Sequence, residues 1–218
     1  MDATKVTPIS RAERRQQATA DTRAAILEAA RSTLLAVGYA NLSTRAVAEA
    51  AEVPLSQIHY HFGSKQQLIL AVLGAENERL LVRQRSMFDE PEPLWVRWER
   101  ACDYLDEDIA SGYVRILQEM IAAGWSDPDV AASVRGYMGG WLALLRDVAE
   151  RTAERIGGLG PFTPAEVAVL MGMPFMGVEA AILLGFDDEA LPARSALRKV
   201  GDLIRRVEDG GANAGRVP

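Results

Sequence analysis

Apolar residues recur at three- and four-residue spacing along almost the whole chain, and stretches with strict two-residue alternation are scarce. That pattern predicts an all-helical protein. The first clear helix is expected from a cap at Asp21 or Thr22, with Ile26, Leu27, Ala30, Leu34 and Val37 on one face, until Gly38 stops it. Ser43 is placed to cap a short second helix of about eight residues, and a third runs from near Pro54 to about His61. Ser64 with Gln67 three residues on is a capping-box pattern, after which the periodicity continues through Leu68, Val72 and Leu80 to about Arg85. Glu90-Pro91-Glu92-Pro93 breaks it, and Asp127-Pro128 and Thr163-Pro164 read as caps followed by a first-turn proline. Further helices are expected near 93–110, 113–124, 128–156, 164–185 and 192–208, about nine in all, with kinks at Gly136–Gly140 and Pro174. Residues 1–20 lack a sustained apolar period and read as a flexible arm. Residues 209–218 read as a disordered tail.

Composition narrows the class. The 218 residues are 49% hydrophobic, enough for a substantial core. The single cysteine, Cys102, cannot form an intramolecular disulfide. Neither a signal peptide nor a long uncharged apolar run is evident, and a cytoplasmic location is the expectation. The net charge of -6 argues against a protein that coats nucleic acid indiscriminately, since that needs a broad basic surface. The charge is uneven, however: residues 1–65 hold eight basic side chains against six acidic ones, for +2, leaving -8 for the rest.

The basic end carries the most informative stretch, STRAVAEAAEVPLSQIHYHFGSK from Ser43 to Lys65. Two short helices joined by a few residues, with small Ala48 and Ala51 where they must approach, match helix-turn-helix geometry. Val47, Val53, Ile58 and Phe62 would bury the motif, leaving Ser56, Gln57, His59 and Tyr60 on or beside the outward face of the third helix. A face of hydrogen-bonding groups suits a DNA groove. Ser43-Thr44-Arg45, Ala48, Val53, His61-Phe62, Ser64-Lys65 and Leu68, with Gly38-Tyr39 before them, resemble the N-terminal signature of the TetR (tetracycline-repressor-like) family over residues 22–73. Two positions depart from that signature. His59 stands where the family has a phosphate-contacting tyrosine, with Tyr60 beside it. Glu52 replaces a turn glycine, at a cost of roughly 1 kcal/mol if its φ is positive.

The resemblance implies a DNA-binding domain over 21–68 and a helical ligand-binding and dimerisation domain over 69–208. It implies phosphate contacts from Thr44, Arg45, His59 and Lys65, with Tyr60 beside them, and base contacts from Ser56 and Gln57, with Leu55 against a thymine methyl. Arg11, Arg14 and Arg15 could add minor-groove contacts from the arm. The implied partners are operator DNA, a small-molecule effector and a second copy of the chain, paired through the last two helices. There Gly172, Gly177, Ala180, Ala181 and Gly185 allow close approach, and Val169, Phe175, Val178, Ile182 and Leu183 supply apolar area. Candidates for an effector pocket are Trp95, Trp98, Met120, Trp125 and Trp141, for a largely apolar ligand; ordinary core packing is the competing explanation for each.

No catalytic constellation, cofactor motif or metal-ligand cluster stands out, so an enzyme is not expected. His59 and His61 diverge on a helix and have no third ligand nearby. The acidic run Asp103, Asp106, Glu107 and Asp108 could hold a cation but fits a solvated helix face better. Cys102 reads as a buried spectator rather than a redox sensor. The expected function is a transcriptional regulator, most simply a repressor released from a palindromic operator by its ligand. The alternative is a helical ligand carrier or adaptor without specific DNA binding.

Overall fold

The computed structural model describes residues 10–214, with side chains through residue 210. Within them the chain forms nine helices and no strand: α1 (Arg11–Asn41), α2 (Thr44–Ala50), α3 (Leu55–Phe62), α4 (Lys65–Asp89), α5 (Leu94–Ser111), α6 (Tyr113–Gly124), α7 (Pro128–Ile156), α8 (Pro164–Leu183) and α9 (Ala193–Ala214). They divide into two compact units, one ending at Val72 and the other beginning at Leu73, and α4 carries the chain across the division.

In the first unit, α1 begins ten residues before the predicted cap. Ser10 accepts from the Glu13 amide at 3.2 Å, and the Glu13 carboxylate accepts from the Ser10 amide at 2.7 Å. This reciprocal capping box starts the helix at Arg11, so the reading of 11–20 as an arm is corrected. Residues 1–9 of that arm lie outside the described residues. The early turns are exposed all round, and burial begins at Ile26, continuing through Ala29, Ala30 and Leu34. Val37, expected on the same face, is 42% exposed. Gly38 interrupts α1 with φ 76° and ψ 166°, a conformation that only a residue without Cβ adopts freely, and the chain resumes helix through Asn41. Val47, Ile58 and Phe62 are buried as expected, while Val53 is only half-buried.

In the second unit, five helices and most of α4 pack around a shared interior. Trp98, Cys102, Leu105, Phe175 and Leu197 form a buried cluster drawn from α5, α8 and α9, with Trp141, Met171 and Ile182 packed against it. The Trp98 and Phe175 rings meet edge-on at 5.3 Å, and the Trp98 indole N–H donates to the Leu197 carbonyl at 2.7 Å. Asp127 and Thr163 cap α7 and α8 as their spacing predicts. α7 stays one helix through Gly136–Gly140, and α8 stays one helix through Pro174. α9 continues to Ala214, which corrects the start of the predicted tail; residues 215–218 lie outside the described residues.

Candidate nucleic-acid interface and internal cavity

The interface is set by two short helices whose starts are fixed locally. Ser43 Oγ accepts from the Ala46 amide at 3.1 Å, which opens α2 with Thr44 half-buried and Arg45 exposed. The turn that follows needs one left-handed residue, and Glu52 supplies it at φ 54°. α3 then turns Ile58 and Phe62 inward, one turn apart, and leaves Ser56, His59 and Tyr60 exposed, Tyr60 by 75%. Leu55 and Gln57 lie half-buried at its beginning. His59 Nδ1 sits 3.2 Å from the Gly63 carbonyl oxygen, and the Tyr60 and His61 rings meet edge-on at 5.0 Å.

α4 starts where Ser64 Oγ accepts from the Gln67 amide at 3.1 Å, and Lys65 is its first residue. The Lys65 ammonium donates to the Ala40 carbonyl at 3.4 Å and lies 4.7 Å from the centre of the Tyr39 ring. It is therefore held beside the helix start rather than free in solvent. Arg23 stacks over Phe62 at 5.2 Å. All eight sequence-predicted contact residues thus fall at the start of α2, along α3, or at the start of α4. Arg11, Arg14 and Arg15 lie on the exposed first turns of a helix, which replaces the flexible arm from which minor-groove contacts were expected.

The second unit holds a cavity of about 60 Å³ that opens to solvent. Its apolar wall includes Phe88, Tyr137, Trp141, Met171 and Phe175, and its polar groups include Gln84, Asp108, Tyr113 and Glu179. Trp141 donates its indole N–H to Gln84 Oε1 at 2.9 Å, so one wall is locked by a hydrogen bond. Gly172 makes room for that indole. A Cβ there would meet Leu145 at 2.8 Å and the Trp141 ring at 3.2 Å.

Of the five predicted lining residues, only Trp141 reaches this cavity. Trp98 is consumed by the packed cluster, and Met120 is buried outside the lining. Trp95 lies beneath the Arg205 guanidinium at 5.2 Å, and Trp125 is 82% exposed at the end of α6. Residue type alone says nothing about which way a side chain points. The carboxyl groups were missed, although the Glu179 signal was present as a lone acid inside the apolar run from Val178 to Ile182.

Asp108 is gripped by Arg83, whose Nη2 donates to both its oxygens at 2.6 and 2.7 Å. Burial still pushes the Asp108 carboxyl above its ordinary range, with the arginine opposing the rise. Glu179 has no such partner. Its Oε2 is sealed from solvent without a hydrogen bond, and burial, followed by the charge of Asp108, pushes its carboxyl up to about 8.

The remaining acidic run is an ion-paired helix face. Asp103 meets Arg198 at 2.6 Å, Asp106 meets Arg194 at 2.8 Å, and Glu107 shares Arg83 at 3.3 Å. No cluster of three or more potential metal ligands occurs among the described residues. The Cys102 thiol is buried, and desolvation pushes it up to about 11, far from thiolate reactivity.

Comparison with known proteins bears on both units. Residues 26–72 match the family model described as bacterial regulatory proteins, tetR family. The HTH-type transcriptional regulator UidR of Escherichia coli K12 is 30% identical over 148 residues, covering 64% of this chain and 70% of UidR. A TetR-family transcriptional regulator from Rhodococcus superposes with a TM-score of 0.69 at 22% identity, over 85% of this chain and 98% of that one. Salmonella enterica GusR gives 0.66 at 21%, over 84% and 95%. Bacillus subtilis FadR, in complex with stearoyl-CoA, gives 0.69 at 12%, over 83% and 96%. With the sequence match running well beyond the helix-turn-helix and the helical fold shared over most of the chain, this protein belongs to the TetR family of bacterial transcriptional regulators.

Proposed function

We propose that the chain acts as a homodimeric repressor that reads a palindromic operator through α2 and α3 and leaves it when a largely apolar small molecule fills the cavity of the second unit. The observation that carries the DNA half is the division of α3, which buries Ile58 and Phe62 and turns Ser56, His59 and Tyr60 outward. On this reading Thr44, Arg45, His59 and Lys65 hold phosphates, and Tyr60 supports them from the neighbouring position. Ser56 and Gln57 read base edges, Leu55 meets a thymine methyl, and the amides at the starts of α2 and α4 add to the anion site. The cavity's aromatic and thioether walls support an effector, as does the shared fold with FadR, whose structure holds stearoyl-CoA.

α8 supports the dimer. It has a mean hydropathy of 1.6, yet only 11% of that stretch is buried. The open side includes part of the face predicted, with Val169, Gly177 and Leu183 exposed, while other members of it turn inward. Gly172 and Phe175 turn inward, and Val178 and Ile182 pack beside the buried cluster. Leu170, Pro174 and Gly177 follow one another at four- and three-residue spacing on the exposed side, Leu184 lies seven residues further on, and Leu203 and Val207 are exposed on α9. Such a stripe suits an isologous pairing.

The test is selection of bound fragments from random duplex DNA, repeated across salt. A palindrome with half-site centres near a multiple of about 34–36 Å is expected, with log affinity falling as log salt rises by about 0.9 per neutralised phosphate. Gln57→Ala and Lys65→Ala should each abolish selection while the fold persists. Failure of the folded wild-type dimer to select any fragment, at any salt, would move the reading to a helical ligand carrier.

A further inference from the structure

Glu179 is a half-buried acid whose Oε2 is sealed from solvent without a hydrogen bond or counter-ion, placed where an apolar ligand would lie. It shares a face of α8 with Met171 and Phe175, at four-residue intervals, and all three line the cavity. Asp108, the other acid in the lining, already has its charge matched by the two bonds from Arg83. None of the described residues lining the cavity is basic. A buried polar atom left unsatisfied costs stability unless something else completes it, and such atoms in native proteins call for a reason.

We propose that Glu179 is the polar anchor of this cavity and that the ligand it selects is an apolar molecule bearing a protonated amine. The inference rests on the reading of this cavity as the effector site. An ammonium group donates hydrogen bonds and carries the charge the carboxylate lacks, and the aromatic faces of Trp141, Tyr137 and Phe175 favour a cation over an anion. An acyl carboxylate or phosphate would meet two acids and no cation. Because burial and Asp108 push Glu179 up to about 8, the empty site holds a proton on it at neutral pH. Amine binding then moves that one proton from the carboxyl to solvent and leaves carboxylate and ammonium in contact, with no other bond made or broken. Tyr113, whose hydroxyl is raised by burial and then by Glu179 and Asp108, stays neutral throughout.

The test compares three probes of nearly equal shape, 4-phenylbutylamine, 4-phenylbutan-1-ol and 4-phenylbutyrate, titrated calorimetrically into the full-length protein and into Glu179→Gln. In the wild type the amine should bind about tenfold tighter than the alcohol, as a buried hydrogen bond to a charged group warrants, and the carboxylate weakest of the three. In Glu179→Gln the amine should fall to the level of the alcohol, whose own affinity stays within about twofold because nothing in its contacts needs the charge. The wild-type ranking stands without any variant. Equal affinity for all three probes, or an amine preference that survives in Glu179→Gln, overturns this inference and leaves the effector cavity intact. Binding of none of the three overturns the effector reading itself, and this inference with it.

Discussion

Glu52 occupies the turn between α2 and α3 at φ 54°, where its Cβ crowds its own carbonyl. Its amide donates to the Glu49 carbonyl at 3.1 Å, and the next amide, that of Val53, reaches the Ala48 carbonyl at 3.0 Å, so the conformation is imposed by the turn. The side chain is exposed to solvent, where it does nothing to offset the strain. Glu52→Gly should therefore raise stability by roughly 1 kcal/mol, seen as a thermal midpoint about 2–4 °C higher. An unchanged midpoint would mean the left-handed backbone carries no strain here. Glu179 makes a prediction with pH. Its folded value near 8 lies above the 4.5 of an unperturbed carboxyl, so the folded state keeps a proton that the unfolded chain releases. The stability it contributes is complete below pH 4.5 and is lost as pH rises through 8. Asp108, beside it, is raised by burial too but is held by Arg83, and Tyr113 is raised by burial and then by both acids and does not ionise in that window. Glu179→Gln, which cannot ionise, should outlast the wild type in denaturant at pH 8 by on the order of 2–4 kcal/mol, with the gap closing near pH 4.5. A gap that does not vary with pH would show that Glu179 is not the titrating group.

Between helices, the least anticipated contact is a cap supplied from far along the chain. α5 starts after Pro93 without a side-chain cap of its own, and Glu208 of α9 accepts from the Leu94 and Trp95 amides at 3.0 and 3.1 Å. The same carboxylate meets Arg155 of α7 at 2.6 Å, so one side chain ties three helix ends together. Glu208→Ala should cost about 1–2 kcal/mol, as loss of an N-terminal cap does, measured by denaturant midpoint, and should loosen the last turns of α9 in hydrogen exchange. A variant as stable as the wild type would reduce this contact to a surface ion pair. Its invisibility in the sequence has a plain cause, since its partners are more than a hundred residues apart. The caps that were legible, Ser43, Ser64, Asp127 and Thr163, all bond within three residues. Ser10 with Glu13 obeys the same local rule, but an exposed polar stretch follows it, and the apolar periodicity that marked the other helices was missing. For the same reason the starts and ends of α5 to α8 were readable to within a few residues. The cavity was not, because Trp125 and Trp141 are the same residue type on adjoining helices and only packing decides that one faces solvent and the other the cavity.

For the molecule as a whole, the open question set by the surface is what covers the apolar side of α8 and α9. Leu170 is 54% exposed, Leu184 78% and Leu203 58%, and where such residues form a contiguous patch they mark an interaction surface. Pairing with a second copy about a two-fold axis would bury each of these residues twice over, and the small side of α8 at Gly177 and Ala181 would let two such helices approach. A head with only a few base contacts binds weakly alone, and coupling two heads makes the second contact effectively intramolecular. The dimer is therefore a requirement of the DNA reading and not an ornament to it. Placing charge on the stripe separates the two roles. Leu170→Glu combined with Leu203→Glu touches neither α2 and α3 nor the cavity lining, so helicity and cavity ligand binding should persist. The protein should run at half the wild-type mass in light scattering. Its affinity for a full palindrome should fall by about 100-fold or more, to the level of a single half-site, whose affinity should be unchanged. A charged double variant that remains dimeric would place the interface on some other face, whereas a monomer that still holds the full palindrome tightly would remove dimerisation from operator recognition.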